Sequence, residues 1–460
     1  MPLEPRPSRT LQDVAAVMDL RPLQPGDWRY VDICKGRRSP ALKHLRVRLE
    51  DAAAAVDALG FVKLALTGHR GCGKSTELLR LEHELEPSFT ALHLYADEQL
   101  LGDYDYTYLF LWLVDQLVQH FEERLKLPLH ETLVADVVRW FAEVVTEHDE
   151  TVRKEIGLTT EAEAGAKFNW FGLRLGLFAK LQSMIRGSHE KRTQIRNTLQ
   201  RYSTDLVNKV NLLLDDAHER LASGNRPPQL LIVVDNLDRL KSDVSEPLFF
   251  QNGDLLSQLR AHVIYTVPVA IALSPRNIRN VFPFTYNLPM VRVHNKQNRP
   301  ERAGLGALAE MIAGRVEIGE LFTSTKVVRH LAKMSGGSVR DLMRLVAYAA
   351  NSARADGKPK IDTAAANEAV ADMRLDYERL LVPGQIYYPL LAKIHQTKRD
   401  WFADVGQLNT QQLAVYREVF AGLLFNGAVL EYDGGENWYD VHPAIQEIET
   451  FREALANGES

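Results

Sequence analysis

The stretch that decides the fold reads Gly68-His69-Arg70-Gly71-Cys72-Gly73-Lys74-Ser75-Thr76. It matches the pattern G-x-x-x-x-G-K-[ST] at every defined position. Its glycines let the chain turn so that successive backbone N–H groups converge on a phosphate, and a helix beginning near Lys74 adds its positive dipole end. We expect Lys74 to reach the β- and γ-phosphates of a nucleotide, and the Ser75 hydroxyl to complete a Mg²⁺ shell. The nine residues are therefore predicted to form a phosphate-binding loop.

The sequence on both sides of this loop predicts a parallel α/β sheet. Residues 61–67 form a short apolar run before the loop, and residues 75–85 have helical periodicity after it. Further apolar runs typical of strands follow at residues 89–95, 230–234, 262–267 and 289–293. Because these strands alternate with helical segments, we expect a parallel sheet covered by helices.

One of these strands ends in an acid. Leu230-Leu231-Ile232-Val233-Val234 is followed by Asp235 and then by the polar run Asn236-Leu237-Asp238-Arg239. A buried strand would not otherwise finish in a carboxylate, because an unpaired buried charge is costly. We predict that Asp235 holds the Mg²⁺ through water. The alternative is that Asp235 caps a helix.

Length and composition narrow the class of protein. The 460 residues and 52.0 kDa correspond to two to four domains. Apolar residues make up 45% and charged residues 25%, which argues against disordered, collagen-like and coiled-coil classes. With a net charge of -5, a nucleic-acid partner must be held by a local basic patch. Cys34 and Cys72 are too few for a disulfide framework or a four-ligand zinc site.

The sequence contains no segment typical of secretion or membrane insertion. Its first ten residues lack the apolar core of a signal peptide. No stretch reaches ~18 uncharged apolar residues, and the nearest candidate, residues 168–185, is interrupted by Arg174 and Lys180. We therefore expect a cytoplasmic protein without a membrane span.

Composition and periodicity divide the chain into four regions. Residues 1–40, rich in Pro, Gly and Arg, are an N-terminal lead-in segment. Residues 41–299 form the phosphate-loop core, within which residues 122–228 are a large helical insertion. Residues 300–380 form a helical lid. Residues 381–460 contain helices followed by strand, turn and strand, a pattern typical of a winged-helix domain.

These features together resemble the additional-strand P-loop NTPases, the AAA+ and STAND group. The Asp235-Asn236-Leu237-Asp238-Arg239 ending looks like that of the KAP and STAND-like branches. The sequence from Gly68 to Thr76, continued by Glu77-Leu78, resembles the corresponding sequence of ATPases encoded in bacterial anti-phage and mobile-element loci. The resemblance covers about residues 41–351 and implies an ATPase that uses ATP and Mg²⁺.

The resemblance also implies roles for residues outside the loop. Thr266, at the end of the run 262–267, matches the polar residue that senses the γ-phosphate. Arg276 and Arg279 match the region that presents an arginine to a neighbouring subunit. The run Ser335-Gly336-Gly337-Ser338-Val339-Arg340-Asp341-Leu342 looks like the second sensor motif, with Ser338 as N-cap and Arg340 aimed back at the nucleotide. The alternative for Thr266 is that it is simply a threonine at a strand end. The alternative for Arg276 and Arg279 is that they are solvated helix charges.

One position departs from the pattern of many relatives. Where they carry a Glu or Asp directly after the metal aspartate to orient the attacking water, this chain has Asn236. The next carboxylate is Asp238, so hydrolysis is expected to be slow, or to need Asp238 or a residue of a partner. Lys74, Asp235, Asp238, Thr266, Arg276, Arg279 and Arg340 are the predicted catalytic set.

Two regions bear on partners. Residues 167–201 carry one acid, Glu190, and eight basic residues: Lys167, Arg174, Lys180, Arg186, Lys191, Arg192, Arg196 and Arg201. This stretch suits nucleic-acid phosphates, an anionic lipid surface or an acidic partner, or it is a solvated helix face. The wing tip carries Asp433 and Glu436, so we favour protein docking or autoinhibition over DNA reading by the winged helix.

Three functions are compatible with this sequence. The first is an ATP-switched homo-oligomeric regulator of a protein effector, for which the resemblance suggests anti-phage defence. The second is a DNA-acting ATPase of origin-recognition or transposition-regulator type. The third is a nucleotide-binding scaffold that has lost hydrolysis, marked by Asn236.

Overall fold

A computed structural model of the chain describes residues 6–55, 60–96, 106–146, 201–381, 387–399, 409–433 and 437–457. The sheet contains strands β1 (Lys63–Thr67), β2 (Phe89–Tyr95), β3 (Gln229–Asp235), β4 (His262–Val267) and β5 (Phe284–Asn287). All neighbouring pairs are parallel, in the order β2-β3-β4-β1-β5. The predicted parallel α/β core is therefore confirmed.

The strand order has a diagnostic feature. β4 lies between β1, which leads into the phosphate loop, and β3, which ends at Asp235. This inserted strand is what the term additional-strand denotes. Every residue of β1 and β4 is buried, because helices cover both faces of the sheet.

One predicted strand is wrong. Residues 289–293 form no strand, and the fifth strand of the sheet is the half-buried β5 just before them. Val291 is nevertheless fully buried, and the Met290 N–H donates to Glu431 O at 3.1 Å, in the C-terminal part of the chain. The apolar run therefore reflects burial between regions of the chain and not pairing in the sheet.

In the described ranges, helices alternate with strands up to β5, and from residue 302 to residue 425 helices follow one another without a strand between them. In chain order they are α1 (Val14–Val17), α2 (Cys34–Arg37), α3 (Ala41–Ala54), α4 (Lys74–Leu85), α5 (Tyr106–Gln119), α6 (Glu131–Thr146), α7 (Ser203–Ser223), α8 (Ser242–Glu246), α9 (Gly253–Ser257), α10 (Val269–Ala272), α11 (Arg302–Ala313), α12 (Ile318–Leu321), α13 (Thr325–Met334), α14 (Val339–Ala355), α15 (Thr363–Leu380), α16 (Tyr387–Thr397), α17 (Thr410–Phe425) and α18 (Glu449–Asn457). None of them combines the length and apolar character that crossing a bilayer requires.

Helices α6 and α7 lie in the predicted helical insertion. Leu206, Val210 and Leu213 of α7 are fully buried, as their spacing predicts. They belong to the same apolar cluster as β3 and β4, so α7 covers one face of the sheet. Residues 147–200, and with them all of the basic stretch except Arg201, lie outside the described residues.

The opposite face of the sheet is covered by α3 and α4, whose Leu45 and Leu78 are fully buried with Leu231 of β3. The same cluster includes Tyr432 and Trp438 from the C-terminal hairpin. The C-terminal region is therefore packed directly against the sheet. Burial of this apolar surface is the main favourable free-energy contribution that holds the C-terminal region against the sheet.

Helices α11 to α15 form the lid region, and α16, α17, the antiparallel strands β6 (Val429–Tyr432) and β7 (Trp438–Val441), and α18 form the winged-helix unit. The helical lid and the winged-helix-like domain of the predicted fold class are therefore confirmed. Val14, Val17 and Ile33 of the N-terminal segment are buried in the lid cluster. Because such packing crosses the predicted limits at residues 40, 299 and 380, those domain limits stay predictions.

Candidate nucleotide-binding site

The phosphate loop connects β1 to α4 and depends on glycine at Gly71 and Gly73. Their φ angles are +84° and +98°, in the region that other residues rarely adopt. At Gly71 a Cβ atom would also lie 2.7 Å from the Cβ of Arg340. The loop can therefore keep its path under Arg340 only without a side chain at this position.

Lys74 is buried at the start of α4, with 5% of its surface exposed. Its Nζ donates to the carbonyl oxygens of Gly68 at 2.7 Å and His69 at 2.9 Å. It also forms an ion pair with Asp238 Oδ2 at 2.8 Å. Burial opposes the charged form, but the Asp238 carboxylate outweighs it and raises the pKa of Lys74. The Lys74 side chain is therefore a charged ammonium that is held against the loop by these carbonyl oxygens.

The acidic end of β3 lies beside Ser75. Asp235 is 1% exposed, and its Oδ1 accepts from the Asn236 N–H at 2.7 Å. Its Oδ2 accepts no hydrogen bond in the described ranges, and the His93 Nε2 is 3.6 Å away. Burial would raise the pKa of Asp235, but His93 and the Ser75 hydroxyl lower it below the ordinary value. The carboxylate is therefore ionised, and its Oδ2 faces the His93 ring without a hydrogen bond.

These two residues fit a magnesium ion. Mg²⁺ is bound in nucleotide sites by one or two protein oxygens together with phosphate and water oxygens. The buried Asp235 carboxylate and the Ser75 hydroxyl beside it supply oxygens of that kind, although His93 Nε2 also lies 3.6 Å from Asp235 Oδ2. Nowhere in the described ranges, this site included, is a cluster of three or more His, Cys, Asp or Glu side chains placed to hold a metal.

Asp238 lies in a short 3₁₀ turn, Leu237–Arg239, that follows β3. Asn236 starts this turn with φ +69°, and its Nδ2 donates to Ala96 O at 3.4 Å. Asn236, Asp238, Lys74 and Arg340 line one pocket, together with Gly71, Gly73, Arg70, Ser75 and Thr76. The structure thus brings together the predicted loop, the polar turn and the lid arginine.

The second sensor motif meets the phosphate loop directly. Ser338 is the N-cap of α14, and its Oγ accepts from the Asp341 N–H at 3.2 Å, as predicted. The Arg340 N–H donates to Gly71 O at 3.1 Å, so the first turn of α14 is hydrogen-bonded to the loop. Arg340 is half-buried at the pocket, where it can approach an anion bound by the loop.

Three predicted residues from other parts of the chain, Thr266, Arg276 and Arg279, do not line this pocket, and neither do Asp235, Gly68, His69 and Cys72. Thr266 is fully buried at the end of β4, and its Oγ1 donates to Val234 O at 3.3 Å. Arg276 and Arg279 are exposed, and Arg276 forms an ion pair with Glu246 at 3.7 Å. An arginine that acts on a neighbouring subunit has to be exposed, so this placement is compatible with the predicted role. The roles of all three residues stay predictions.

The N-terminal segment contributes residues that the sequence gave no reason to select. Arg37 is 1% exposed, and its guanidinium donates to Cys72 O and, at 2.8 Å, to Pro289 O. The Leu23 N–H donates to Thr76 Oγ1 at 3.1 Å. Both residues line the pocket, as do Tyr30 and Ile33. Their stretch has no periodicity or motif, so only the tertiary contact identifies them.

His69 connects the loop to the winged-helix unit. It is 2% exposed, and its Nε2 accepts from the Glu431 N–H at 2.8 Å. The other ring nitrogen, Nδ1, must then carry the proton that it donates to Leu424 O at 3.2 Å. Burial and the Lys74 charge lower the pKa of His69 to about 3, so the imidazole is neutral.

Comparisons with known proteins return no matching family model and no matching curated protein. The chain is similar to the solved Orc2 protein of Aeropyrum pernix in ADPNP and ADP complexes, with 12% identity over 96% of this chain and 98% of that chain, at a TM-score of 0.44. It is also similar to Cdc6p from Pyrobaculum aerophilum, with 14% identity over 96% and 98% of the two chains and a TM-score of 0.36. A Walker-type ATPase of Pyrococcus abyssi has 12% identity over 96% and 99%, with a TM-score of 0.39. The fold assignment rests on the strand order itself, and neither the structure nor these comparisons supports the anti-phage role, which stays a prediction.

Proposed function

We propose that this protein binds ATP with Mg²⁺ and hydrolyses it, and that the nucleotide controls how the lid and the winged helix are held on the core. The observation that supports this most directly is the convergence of Lys74, Asp238 and Arg340 on one pocket. They come from the phosphate loop, from the turn after β3 and from the lid. Three parts of the chain thus supply charged groups to the site of a nucleotide phosphate.

In this proposal the protein binds and orients the phosphates mainly through electrostatics. The loop N–H groups and the Lys74 ammonium attract the β- and γ-phosphates. Ser75 and Asp235 would hold the Mg²⁺, which when bound neutralises phosphate charge during transfer. Asp238 is the carboxylate nearest to Lys74, at 2.8 Å, and is our candidate for positioning the attacking water. Arg340 adds positive charge from the lid side.

The test compares wild type with Lys74→Ala and with Lys326→Ala as matched control, because Lys326 is an exposed lysine of α13. ATP binding is measured by titration calorimetry with Mg²⁺, and hydrolysis by phosphate release. We expect Lys74→Ala to weaken ATP binding by at least about tenfold, since a charge-assisted contact to phosphate is lost. Wild-type protein that binds no ATP, or a Lys74→Ala protein that binds it equally well, would contradict the proposal.

For the partner, we propose DNA in preference to a protein effector of defence. The feature that favours DNA is the basic stretch 167–201, with eight basic residues against one acid, whereas the effector role rests on the resemblance and on the acidic wing tip, Asp433 and Glu436. Duplex binding should then weaken steeply with salt. Replacing Lys191, Arg192 and Arg196 together by Ala should flatten that salt dependence. If the protein binds no duplex, or if the triple variant binds duplex as wild type does, a protein effector becomes the favoured partner.

Self-assembly is the remaining part of the proposal. Light scattering without nucleotide, with ADP and with a slowly hydrolysed ATP analogue should show larger particles with the triphosphate alone. If Arg276 or Arg279 completes the site of a neighbouring subunit, its change to Ala should lower turnover and leave ATP binding intact. An unchanged mass in all three states would exclude nucleotide-driven assembly.

A further inference from the structure

Arg315 is a buried arginine on the wall of the candidate nucleotide pocket. It lies just after the end of α11, in the lid region, and 4% of its surface is exposed. Its Nη1 donates to Met311 O at 3.0 Å and so caps the last turn of that helix. Its Nε has no hydrogen-bond partner in the part of the chain that the structure describes. The cap therefore uses only part of the donor capacity of this guanidinium.

The Arg315 guanidinium is charged, and within the described ranges no carboxylate forms an ion pair with it. The charged groups that act on it are Arg29 and Asp27, which are paired with each other at 2.7 Å. Burial and then the Arg29 charge lower the pKa of Arg315 to about 10, although Asp27 opposes this shift. The side chain thus stays protonated at neutral pH. Because a buried arginine is almost always paired, this one is available to a ligand with acceptor atoms.

The turn that holds Arg315 packs against the N-terminal segment. The Ser8 N–H donates to Arg315 O at 2.8 Å. A Cβ atom on Gly314 would lie 3.4 Å from Val31 Cγ2. The lid reaches the phosphate loop elsewhere, through the first turn of α14. The same pocket is lined by both parts of the lid, so it extends from the phosphate loop to the place where the lid meets the N-terminal segment.

The pocket has an apolar wall at this second place. The N-terminal segment supplies Val31 and Ile33, and the lid supplies Met311 and Met343. Ile33, Met311 and Met343 are buried in one apolar cluster, and Val31 packs against it. A ligand pocket of this kind covers a flat ring with apolar side chains and orients it with a few polar groups. A phosphate chain has no apolar surface to bury, so this wall suits the base of a nucleotide.

From these observations we propose that Arg315 binds the nucleoside half of a bound nucleotide by donating to an acceptor atom of its base. A guanidinium has donors only, so it pairs with a ring nitrogen or a carbonyl oxygen of the base. A ribose hydroxyl is the other acceptor in the same half of the ligand. This inference rests on the proposed nucleotide site and deepens it. The lid then holds both halves of the nucleotide, with Arg340 on the phosphates and Arg315 on the nucleoside.

The experiment measures the dissociation constants of ATP, 2′-deoxy-ATP and inorganic tripolyphosphate, each with Mg²⁺, for wild type, Arg315→Met and Arg315→Lys. Arg329→Met is the matched control, because Arg329 is an exposed arginine of α13 in the same lid. We expect Arg315→Met to weaken the binding of ATP and 2′-deoxy-ATP about tenfold to a hundredfold, and that of tripolyphosphate by less than about threefold. Arg315→Lys should show a smaller loss of the same kind, since it keeps the charge without the fork.

An equal loss of ATP and tripolyphosphate affinity in Arg315→Met would overturn the inference, because it would mean an effect on the phosphates or on the fold. Wild-type ATP affinity in Arg315→Met would also overturn it and leave the cap of α11 as the only role of Arg315. A loss with ATP that is absent with 2′-deoxy-ATP would assign the contact to the ribose and not to the base. Arg315→Lys can still donate to Met311 O, so it carries the test if Arg315→Met does not fold. Failure of the nucleotide site itself is distinguishable, since wild type would then bind none of the three ligands.

Discussion

In the proposed function, Asp238 is the residue that would separate nucleotide hydrolysis from nucleotide binding. Its Oδ2 lies 2.8 Å from Lys74 Nζ, and 7% of its surface is exposed. Asn236 cannot act as a base, so Asp238 is the nearest carboxylate after Asp235 that can orient water. The same carboxylate competes with a phosphate for the Lys74 ammonium. Removing its charge therefore affects turnover and binding in opposite directions.

We expect Asp238→Asn to abolish measurable ATP turnover while ATP affinity stays equal or becomes tighter. The amide keeps the shape of the side chain but loses the negative charge that attracts Lys74 and the proton of a water molecule. Phosphate release and ATP titration on the same samples provide the two readouts. Asp243→Asn, in the first turn of α8, is the control. Unchanged turnover in Asp238→Asn would remove Asp238 from the mechanism.

Glu431 makes stability depend on pH. It is 2% exposed on β6, and burial, increased by the charge of Asp433, raises its pKa to about 7 although Asn287, Asn437 and Tyr439 donate to it. Between its ordinary pKa of 4.5 and about 7, the folded chain holds a proton that the unfolded chain has released. Stability from this group is therefore present below pH 4.5, falls as the pH rises to about 7, and stays lost above that.

Glu431→Gln should therefore stabilise the protein relative to wild type at pH 8 and much less at pH 5. The difference between the two pH values is expected to reach about 3 kcal/mol, and glutamine keeps the oxygen that accepts from Asn437 at 2.7 Å. Urea unfolding at both pH values measures it. Glu449→Gln, at an exposed position, serves as control. A Glu431→Gln effect that is the same at both pH values would show that Glu431 does not titrate in this range.

At the level of single residues, local spacing in the sequence predicts the groups of the loop and of the strand end. Lys74, Ser75 and Asp235 belong to that set, because a loop motif and a strand end position them. Arg37 was not found as a pocket residue from the sequence. It is held there by its contact with a distant backbone group, the Cys72 carbonyl, and a local pattern carries no information about that contact.

At the level of elements, apolar runs predicted four of the five strands, because β1, β3 and β4 are almost entirely buried and most residues of β2 are buried. They failed at β5, which is half-buried at the sheet edge and has a weaker apolar signal than the segment after it. That segment, residues 289–293, is buried by the lid and the winged-helix unit. Its close approach to the lid is visible at Gly337.

Gly337 is the position where the lid turn meets this segment. Its φ is +85°, and a Cβ atom there would lie 1.8 Å from Val291 O. We expect Gly337→Ala to destabilise the fold by at least about 2 kcal/mol, because the backbone conformation and the contact are both lost. Gly306→Ala in α11 is the control, since nothing lies within 4 Å and alanine favours a helix. Equal unfolding free energies for the two variants in urea would contradict the packing at this junction.

At the level of the whole molecule, regions that are distant in sequence meet at the phosphate loop. The lid bonds to it through Arg340 and Gly71, and the N-terminal segment through Arg37 and Cys72. The winged-helix unit bonds to it through both ring nitrogens of His69. In the proposed function, a change in the loop on nucleotide binding would therefore act on all three regions at once. This is the physical route by which the proposed switch would reach the C-terminal unit.

His69→Ala tests whether that route exists. The substitution leaves the Glu431 N–H and the Leu424 carbonyl without their partner, a loss of about 2 kcal/mol at this interface. Hydrogen exchange should become faster in α17 and β6, and the nucleotide-dependent change in exchange there should shrink. Because the imidazole is neutral, with a pKa of about 3, the effect should be the same from pH 6 to pH 8. His83→Ala, at an exposed position of α4, is the control. If His69→Ala keeps the wild-type exchange response to ATP in β6, the winged helix is coupled to the nucleotide through the lid and not through the loop.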